Sequence, residues 1–292
     1  MSANTINLPV LVGTDGSACG TDAVRWAAVD AARHGAPLHI VYAIGAPVDF
    51  GPGLAFNQFD YDGYRKAGAA AVAAAKDIAT AAAEPIHPID ITTFVVEAPP
   101  IPVLRDRSKD ARLLVVGSRG LGAFRRGLLG SVSTSLARHA HCPVAVIPES
   151  EDTAPDRAQG AVVVGVDGSP AGARAVEIAF DEASRRGATV LAVLTWSEFN
   201  RYIPRSDMQK EAEELLAESL AGYAEKYPEV RVSRLVVEER PAKCLLGAAK
   251  LAQLIVVGSH GSGGFAGMTL GSVSQAVLHG ADCPVIIARS AS

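Results

Sequence analysis

Two glycine-rich segments of the sequence share one spacing, and each follows an apolar run. Residues 115–131 read VVGSRGLGAFRRGLLGS, and residues 256–272 read VVGSHGSGGFAGMTLGS. Both fit the pattern G-x2-G-x9-G-S, which is formed by Gly117, Gly120, Gly130 and Ser131 in the first segment and by Gly258, Gly261, Gly271 and Ser272 in the second. Glycine can adopt positive φ and lets another group approach its backbone N–H, and we expect both at Gly117. The free N–H groups at the start of a helix attract anions. The spacing predicts a polyphosphate cradle whose helix begins at the Gly-Ser pair, and the candidate site includes the next two residues of each helix: Val132 and Ser133, and Val273 and Ser274.

The same residues also have a purely structural interpretation. Glycine turns at strand ends and serine at helix starts are common where nothing binds. Two loops that keep one spacing while their other residues change favour the binding interpretation. Neither loop is a Walker motif, because neither contains a lysine, and the turn after the first strand, VGTDGSACG, lacks the G-x-G-x-x-G dinucleotide pattern.

An Asp-Gly-Ser turn follows the first apolar run of each half. The candidate residues are Gly13, Thr14 and Asp15 in the first half and Gly165, Val166 and Asp167 in the second. A carboxylate repels phosphates, so we expect Asp15 and Asp167 to meet ribose hydroxyls, a base or a metal ion. The alternative is an aspartate that bonds the backbone of its own turn, and both roles can coexist.

The two loops differ in their cations. The first offers Arg119, Arg125 and Arg126, whereas the second offers His260. A charge-assisted contact to a phosphate contributes about 1.5–3 kcal/mol when it is well placed. The first site is therefore predicted to bind a triphosphate more tightly than the second. The alternative is that these arginines are solvated surface residues that do not reach the phosphates.

The chain is a tandem duplication of one unit. The Asp-Gly-Ser turns are offset by 152 residues and the glycine loops by 141, so the first half carries eleven extra residues, which we place in the irregular segment 45–63. The polar residues 149–160 predict a linker, with a first domain at residues 1–150 and a second at residues 160–292.

Each unit alternates strand and helix. In the first half the predicted strands are PVLVGT, PLHIVYAI, ITTFVVE, ARLLVVGS and PVAVIP, with helices between them. This alternation predicts the α/β class, as two tandem doubly wound, Rossmann-like domains, each with a parallel five-stranded sheet flanked by helices. In such sheets ligands bind beyond the carboxyl ends of the strands, where both motifs lie.

Composition excludes several classes of function. Of 292 residues 49% are hydrophobic and 20% charged, and the net charge of −4 gives no basic surface for nucleic acid. No signal-like N-terminus and no apolar run long enough to span a membrane occurs, so we expect a soluble, cytoplasmic protein. The cysteines form no metal-ligand pattern and are predicted to be small packing residues: Cys19, Cys142, Cys244 and Cys283.

The Asp-Gly-Ser turn, the glycine loop and the duplication resemble the universal stress protein family, and more specifically its ATP-binding tandem form in mycobacteria and other actinobacteria. The resemblance implies one ATP per domain, with Mg²⁺, and a homodimer. It places phosphates on the glycine loops, the nucleoside near Asp15, and the adenine against the backbone near Ala43 and Thr195. It also implies a role in stress, persistence and growth control without strong catalysis.

Two other functional classes remain as alternatives. One is an enzyme of the same architecture that slowly cleaves ATP, although the S-G-G-x-D-S motif of ATP pyrophosphatases is absent after the first strand of either half. The other is a structural dimer module with empty pockets. For Ser133 and Ser274 a solvated or helix-capping position is an alternative to ligand contact. The closing strands PVAVIP and PVIIAR are predicted sheet edges through which two chains would pair.

Overall fold

The first half folds as the alternation predicts. The structure is a computed structural model that describes residues 7–45, 61–120, 129–149, 159–196, 204–261 and 270–289. The elements of the first half are β1 (Val10–Gly13), α1 (Ala18–His34), β2 (Leu38–Ala43), α2 (Tyr61–Ala83), β3 (Ile91–Val96), α3 (Pro100–Arg107), β4 (Leu113–Gly117), α4 (Ser131–His139) and β5 (Val144–Ile147), with a 3₁₀ turn at Ser108–Asp110.

The second half repeats the order of the strands, and its helices differ after β7. Its elements are β6 (Val162–Gly165), α5 (Pro170–Arg186), β7 (Val190–Trp196), α6 (Arg205–Ser219), α7 (Tyr223–Lys226), β8 (Val232–Glu238), α8 (Pro241–Ala249), β9 (Leu254–Gly258), α9 (Ser272–Gly280) and β10 (Val285–Ala288). Two shorter helices, α6 and α7, replace the single long α2. The offset between equivalent elements changes from 152 at β2 to 141 at β3, so the eleven extra residues lie between these strands. Most of the predicted insertion, residues 46–60, lies outside the described residues.

The ten strands of the described residues form one sheet, in the order β3-β2-β1-β4-β5-β10-β9-β6-β7-β8. Within each half every pairing is parallel, which confirms the predicted fold class. The halves join where β5 and β10 pair antiparallel, with Ala145 opposite Ile286. The prediction that these closing strands are exposed edges is therefore wrong, because each covers the other within one chain. The outer strands of the sheet are β3 and β8.

Local sequence explains how α1 and α5 begin and end. Each starts after the serine of the Asp-Gly-Ser turn, whose hydroxyl accepts the N–H of the residue three positions on: Ser17 from Gly20 at 3.1 Å and Ser169 from Gly172 at 3.0 Å. Each ends at a glycine in the left-handed region, Gly35 or Gly187, both with φ 61°. Serine caps and left-handed glycines satisfy the backbone groups that a helix end leaves unpaired.

The six central strands are apolar on both sides because helices cover both faces of the sheet there: β1, β4, β5, β10, β9 and β6. In β1, Val10 and Val12 belong to one core cluster and Leu11 to the other. Cys19, Cys142 and Cys283 are buried, which confirms their packing role, and Cys244 is half-buried. Burial raises the pKa of the Cys142 thiol to about 12. Across the described ranges, no helix is both long and apolar enough to cross a bilayer.

Candidate functional site

Both candidate motifs lie at the carboxyl edge of the sheet. β1 pairs with β4, with Gly13 opposite Val116, so the residues that follow these two strands are neighbours. The chain proceeds from β1 to β2 on one side and returns to β4 on the other, which makes this edge a topological switch point. The second half repeats the arrangement with β6 and β9.

The aspartate of each Asp-Gly-Ser turn is fixed by the serine two residues later. Asp15 Oδ1 accepts hydrogen bonds from the N–H of Ser17 at 3.0 Å and from its hydroxyl at 2.5 Å. Asp167 and Ser169 repeat both contacts at 3.0 and 2.6 Å. The interpretation of these residues as turn aspartates is therefore confirmed, and it determines which way each carboxylate faces.

The second carboxylate oxygen faces the glycine loop. A Cβ placed on Gly120 would collide with Asp15 Oδ2, and one placed on Gly261 would lie 2.8 Å from Asp167 Oδ2. The structure thus brings together the two motifs that the sequence separates by about a hundred residues. At Gly120 and Gly261 the missing side chain leaves room for a carboxylate.

Backbone contacts close each glycine loop onto the end of its strand. The N–H of Gly130 donates to the carbonyl of Ser118 at 2.8 Å, and that of Gly271 donates to Ser259 at 2.7 Å. The hydroxyl of Ser133 donates to the carbonyls of Ser118 and Gly130 at 3.1 and 3.0 Å. These contacts hold the Gly-Ser pair beside the strand end.

Ser274 has the corresponding role in the second half. Its hydroxyl donates to the carbonyl of Gly258 at 2.6 Å. Ser133 and Ser274 are only 2% and 5% exposed, so the solvated interpretation of these serines is wrong. Their hydroxyl protons bond the loop backbone.

Within the described residues, the helix starts beside the predicted cradles lack a side-chain cap. α4 begins at Ser131 after Gly130, α9 begins at Ser272 after Gly271, and none of the described side chains caps either first turn. Ser131 and Ser272 are exposed, whereas the side chains of Val132 and Val273 pack against the core. An anion at this position would meet backbone N–H groups and the positive end of the helix dipole.

The backbone conformation of Gly117 differs from the sequence prediction. Positive φ among the described residues occurs at Gly16, Gly35, Gly168, Gly187 and Gly222, so the expected left-handed conformation of Gly117 is wrong. Gly117 is instead required by crowding, because its Cβ would lie 2.8 Å from the carbonyl carbon and oxygen of Cys19. The Cβ of Gly258 would likewise lie 2.9 Å from the carbonyl carbon of Ala171.

Sequence reasoning missed two of the glycines with positive φ. Gly16 and Gly168, with φ 78° and 72°, lie inside the two Asp-Gly-Ser turns. Their position directly after an aspartate that bonds its own turn was the available signal.

Arg119 and His260, the candidate cationic residues of the two loops that the structure describes, already have partners. Arg119 Nη2 lies 2.6 Å from Glu149 Oε2, and both side chains are partly exposed. His260 Nδ1 lies 3.0 Å from the hydroxyl of Ser259. A phosphate near Arg119 therefore competes with Glu149, which weakens the basis for a tighter first site. Arg125 and Arg126 lie outside the described residues.

The remaining candidate residues are strand-end positions, several with structural contacts. The Cβ of Gly13 would lie 2.6 Å from Leu104 Cδ1, and Thr14 Oγ1 accepts the N–H of Gly16 at 3.2 Å. Val166 is buried, its N–H donates to Val193, and the Cβ of Gly165 would lie 3.3 Å from Leu245 Cδ1. Ala43 ends β2, whereas β7 continues one residue beyond Thr195 to Trp196.

Comparison with known proteins identifies the family. The model of the Universal stress protein family matches the chain twice, over residues 7–148 and 160–289. The chain belongs to the universal stress protein family.

Relatives within this family cover nearly the whole chain. Universal stress protein Rv2005c of Mycobacterium tuberculosis is 45% identical over 284 residues, which span 96% of each protein. Universal stress protein Rv2623 of the same organism is 42% identical over 299 residues, or 99% of each. A universal stress protein structure from Archaeoglobus fulgidus aligns over 98% of this chain and 97% of its own, with a TM-score of 0.72 and 20% identity, and shows the same fold.

Proposed function

We propose that this universal stress protein binds one ATP in each half and acts as a regulator of growth and persistence under stress. The observation that supports the proposal is the same in both halves: an oriented aspartate faces a glycine loop that ends at a helix start without a side-chain cap among the described residues. This combination provides N–H donors for phosphates and a carboxylate for the ribose or the base. The resemblance of the motifs to the ATP-binding branch of the family supports ATP as the nucleotide.

Mg²⁺ is compatible with these residues. Mg²⁺ prefers one or two carboxylates together with the phosphates of the ligand. Asp15 and Asp167 each direct one carboxylate oxygen toward the glycine loop. These two aspartates are therefore the residues that would hold the ion, and the charge that it supplies would neutralise the phosphates.

A binding role fits the cradles better than a catalytic one. Among the described residues, the titratable partners of the loops differ between the halves: Arg119 stands where the second half has His260. Catalysis needs a base placed to activate water, whereas binding tolerates such variation. We also propose a cytoplasmic homodimer and a downstream protein that responds to the bound nucleotide.

Isothermal titration of nucleotide-free protein with ATP and Mg²⁺ tests the proposal. We expect about two ATP per chain, and about one for Gly120→Ala and for Gly261→Ala, because each new Cβ displaces the aspartate of its own site. Gly247→Ala is the matched control, since its Cβ in α8 meets nothing within 4 Å and should leave both sites intact. Absence of binding heat in the wild type, or full stoichiometry in both variants, would contradict the proposal.

A further inference from the structure

A buried cluster of charged side chains joins the two halves of the molecule. It lies where the last turns of α1 and α5 meet, far along both helices from the Asp-Gly-Ser turns. Its central members are equivalent positions of the duplicated unit: Asp30 corresponds to Glu182, and His34 corresponds to Arg186. The side chains of these four residues are at most 5% exposed. Charged groups are this deeply buried only when they are paired.

His34 connects the two helices through both of its ring nitrogens. Nδ1 lies 2.9 Å from the main-chain oxygen of Asp30, one turn earlier in α1. Nε2 lies 3.2 Å from Asp181 Oδ2 in α5. A carbonyl and a carboxylate only accept hydrogen bonds, so both nitrogens must donate. The geometry therefore fits the doubly protonated, cationic ring.

Carboxylates surround the ring of His34 and stabilise its positive charge. Arg186 Nη2 lies 2.8 Å from Glu182 Oε2 and 3.3 Å from Asp30 Oδ1, and its guanidinium lies 5.1 Å from the ring of Trp26. The other oxygens of the two acids face His34: Glu182 Oε1 at 3.7 Å from Nε2 and Asp30 Oδ2 at 3.5 Å from Nδ1. Asp30 Oδ2 is buried without a hydrogen bond in the described structure, so a positive ring stabilises it.

Further charged residues surround the contact between His34 and the acidic residues. Asp181 is 35% exposed and is shared with Arg112 at 3.5 Å and with Arg185 at 3.8 Å. Arg33, half-buried on α1, interacts electrostatically with Arg186, Asp30 and Glu182. Arg186 and Arg112 favour the ionised form of Asp30, and Arg112 opposes the proton on His34. These cations stay charged at every physiological pH, so His34 and its neighbouring acids are the groups that respond to pH.

The balance of these effects favours a bound proton. Burial lowers the pKa of His34, but the hydrogen bond to Asp181 and the charges of Asp30 and Glu182 outweigh burial and raise it above its usual value. Burial and the nearby Glu182 raise the pKa of Asp30 to about 7. Both shifts mean that the folded cluster holds a proton that the unfolded chain has already lost near neutral pH. The direction is the same whichever residue carries it.

We infer that the proton on His34 ties the two halves together at the junction of α1 and α5. While the ring is doubly protonated it donates to both helices, and when it loses that proton the contact with Asp181 is lost and Asp30 remains as a buried charge. The strength of the junction therefore depends on pH, independently of any nucleotide. The contribution of His34 is complete below about pH 6.5, the ordinary value of a histidine, and is lost as pH rises through its raised pKa, whereas that of Asp30 builds up toward its ordinary value of 3.8 and is lost as pH rises through about 7.

Urea unfolding at pH 6 and pH 8 tests this inference on the full chain. One extra proton in the folded state changes the unfolding constant by at most tenfold per pH unit. We expect the wild-type constant to rise more over this range than that of His34→Arg, by up to tenfold for each pH unit above about 6.5. This variant places the residue of the equivalent second-half position at the junction and keeps the charge. His34→Gln should be less stable than the wild type at pH 6 and should approach it at pH 8. Equal pH dependence in all three proteins would overturn the inference.

Two further measurements keep the test decisive if a substitution disturbs folding. The ring protons of His34 in the wild type, followed by NMR, should titrate above the ordinary histidine value and should shift downward in Asp181→Asn. Titration at or below the ordinary value would overturn the inference. Zn²⁺ added at pH 8 should stabilise the wild type no more than His34→Gln. Stabilisation specific to the wild type would show a metal ligand instead of a proton carrier, and would also overturn it.

Discussion

Crowding, and not an unusual backbone conformation, explains why glycine ends β4 and β9. The first turn of α1 passes so close to Gly117 that a Cβ would touch the carbonyl of Cys19, and α5 approaches Gly258 in the same way. Close contact between a helix start and a neighbouring strand end places the Asp-Gly-Ser turn beside the glycine loop. At the residue scale these glycines therefore serve the site by permitting the packing around it.

Gly117→Ala and Gly258→Ala should each destabilise the fold. The nearest atoms are backbone atoms that cannot rotate away, and overpacking of this kind costs about 1–3 kcal/mol. Urea unfolding should show this loss in both variants, whereas Gly247→Ala should lose nothing. Wild-type stability in either variant would show that the first turn of the neighbouring helix can shift to accommodate the new Cβ. Because these substitutions disturb packing, Gly120→Ala and Gly261→Ala are the better probes of binding.

At the scale of elements, the buried serine of α4 and of α9 joins each helix to the strand before it. Ser133 donates to two carbonyls of the loop, and Ser274 donates to the carbonyl of Gly258. Both contacts cross the glycine loop and fix the distance between the strand end and the helix start. A cradle of backbone N–H groups depends on such a fixed distance, because these groups have no side chain to adjust.

Ser133→Ala and Ser274→Ala should weaken both the fold and the binding of ATP. Each substitution removes a buried hydrogen bond, which costs about 0.5–1.5 kcal/mol, and the loosened loop should lower affinity at its own site. Ser131→Ala is the matched comparison: Ser131 is exposed, so its loss should leave stability unchanged. Thermal unfolding together with titration of ATP separates the two effects. Equal stability of Ser133→Ala and the wild type would contradict the role given to this serine.

The sequence predicted the elements well because their signals are local. Apolar runs bounded by glycine or proline marked the strands, as PVLVGT marks β1. Contacts between distant residues could not be predicted in the same way. The crowding at Gly117 depends on a helix about a hundred residues earlier, and Arg119 meets Glu149 across thirty residues. The spacing of the motifs predicted the cradle, whereas the direction of Asp15 emerged only from the folded turn.

At the scale of the whole molecule, the two halves are not independent bodies. β5 and β10 pair at the centre of one ten-stranded sheet. Each of the two hydrophobic clusters contains residues of both halves: Ile147 and Ile286 share one, and Val146 and Ile287 share the other. The sequence could not predict this, because an apolar closing strand does not specify what covers it. The proposed homodimer must therefore use a surface other than the paired edges of β5 and β10.

The shared sheet predicts that the chain unfolds in one transition despite its two domains. Separating the halves would expose the paired backbone of β5 and β10 and divide both hydrophobic cores. Unfolding of one half alone is therefore unfavourable. Calorimetry should give one peak whose calorimetric and van't Hoff enthalpies agree. Ala145→Asp should split it into two transitions, because Ala145 is fully buried opposite Ile286 and a charge there opposes the pairing. Ala145→Ser, which adds no charge, should keep a single transition. Two separate peaks in the wild type would show that the junction contributes too little to couple the halves.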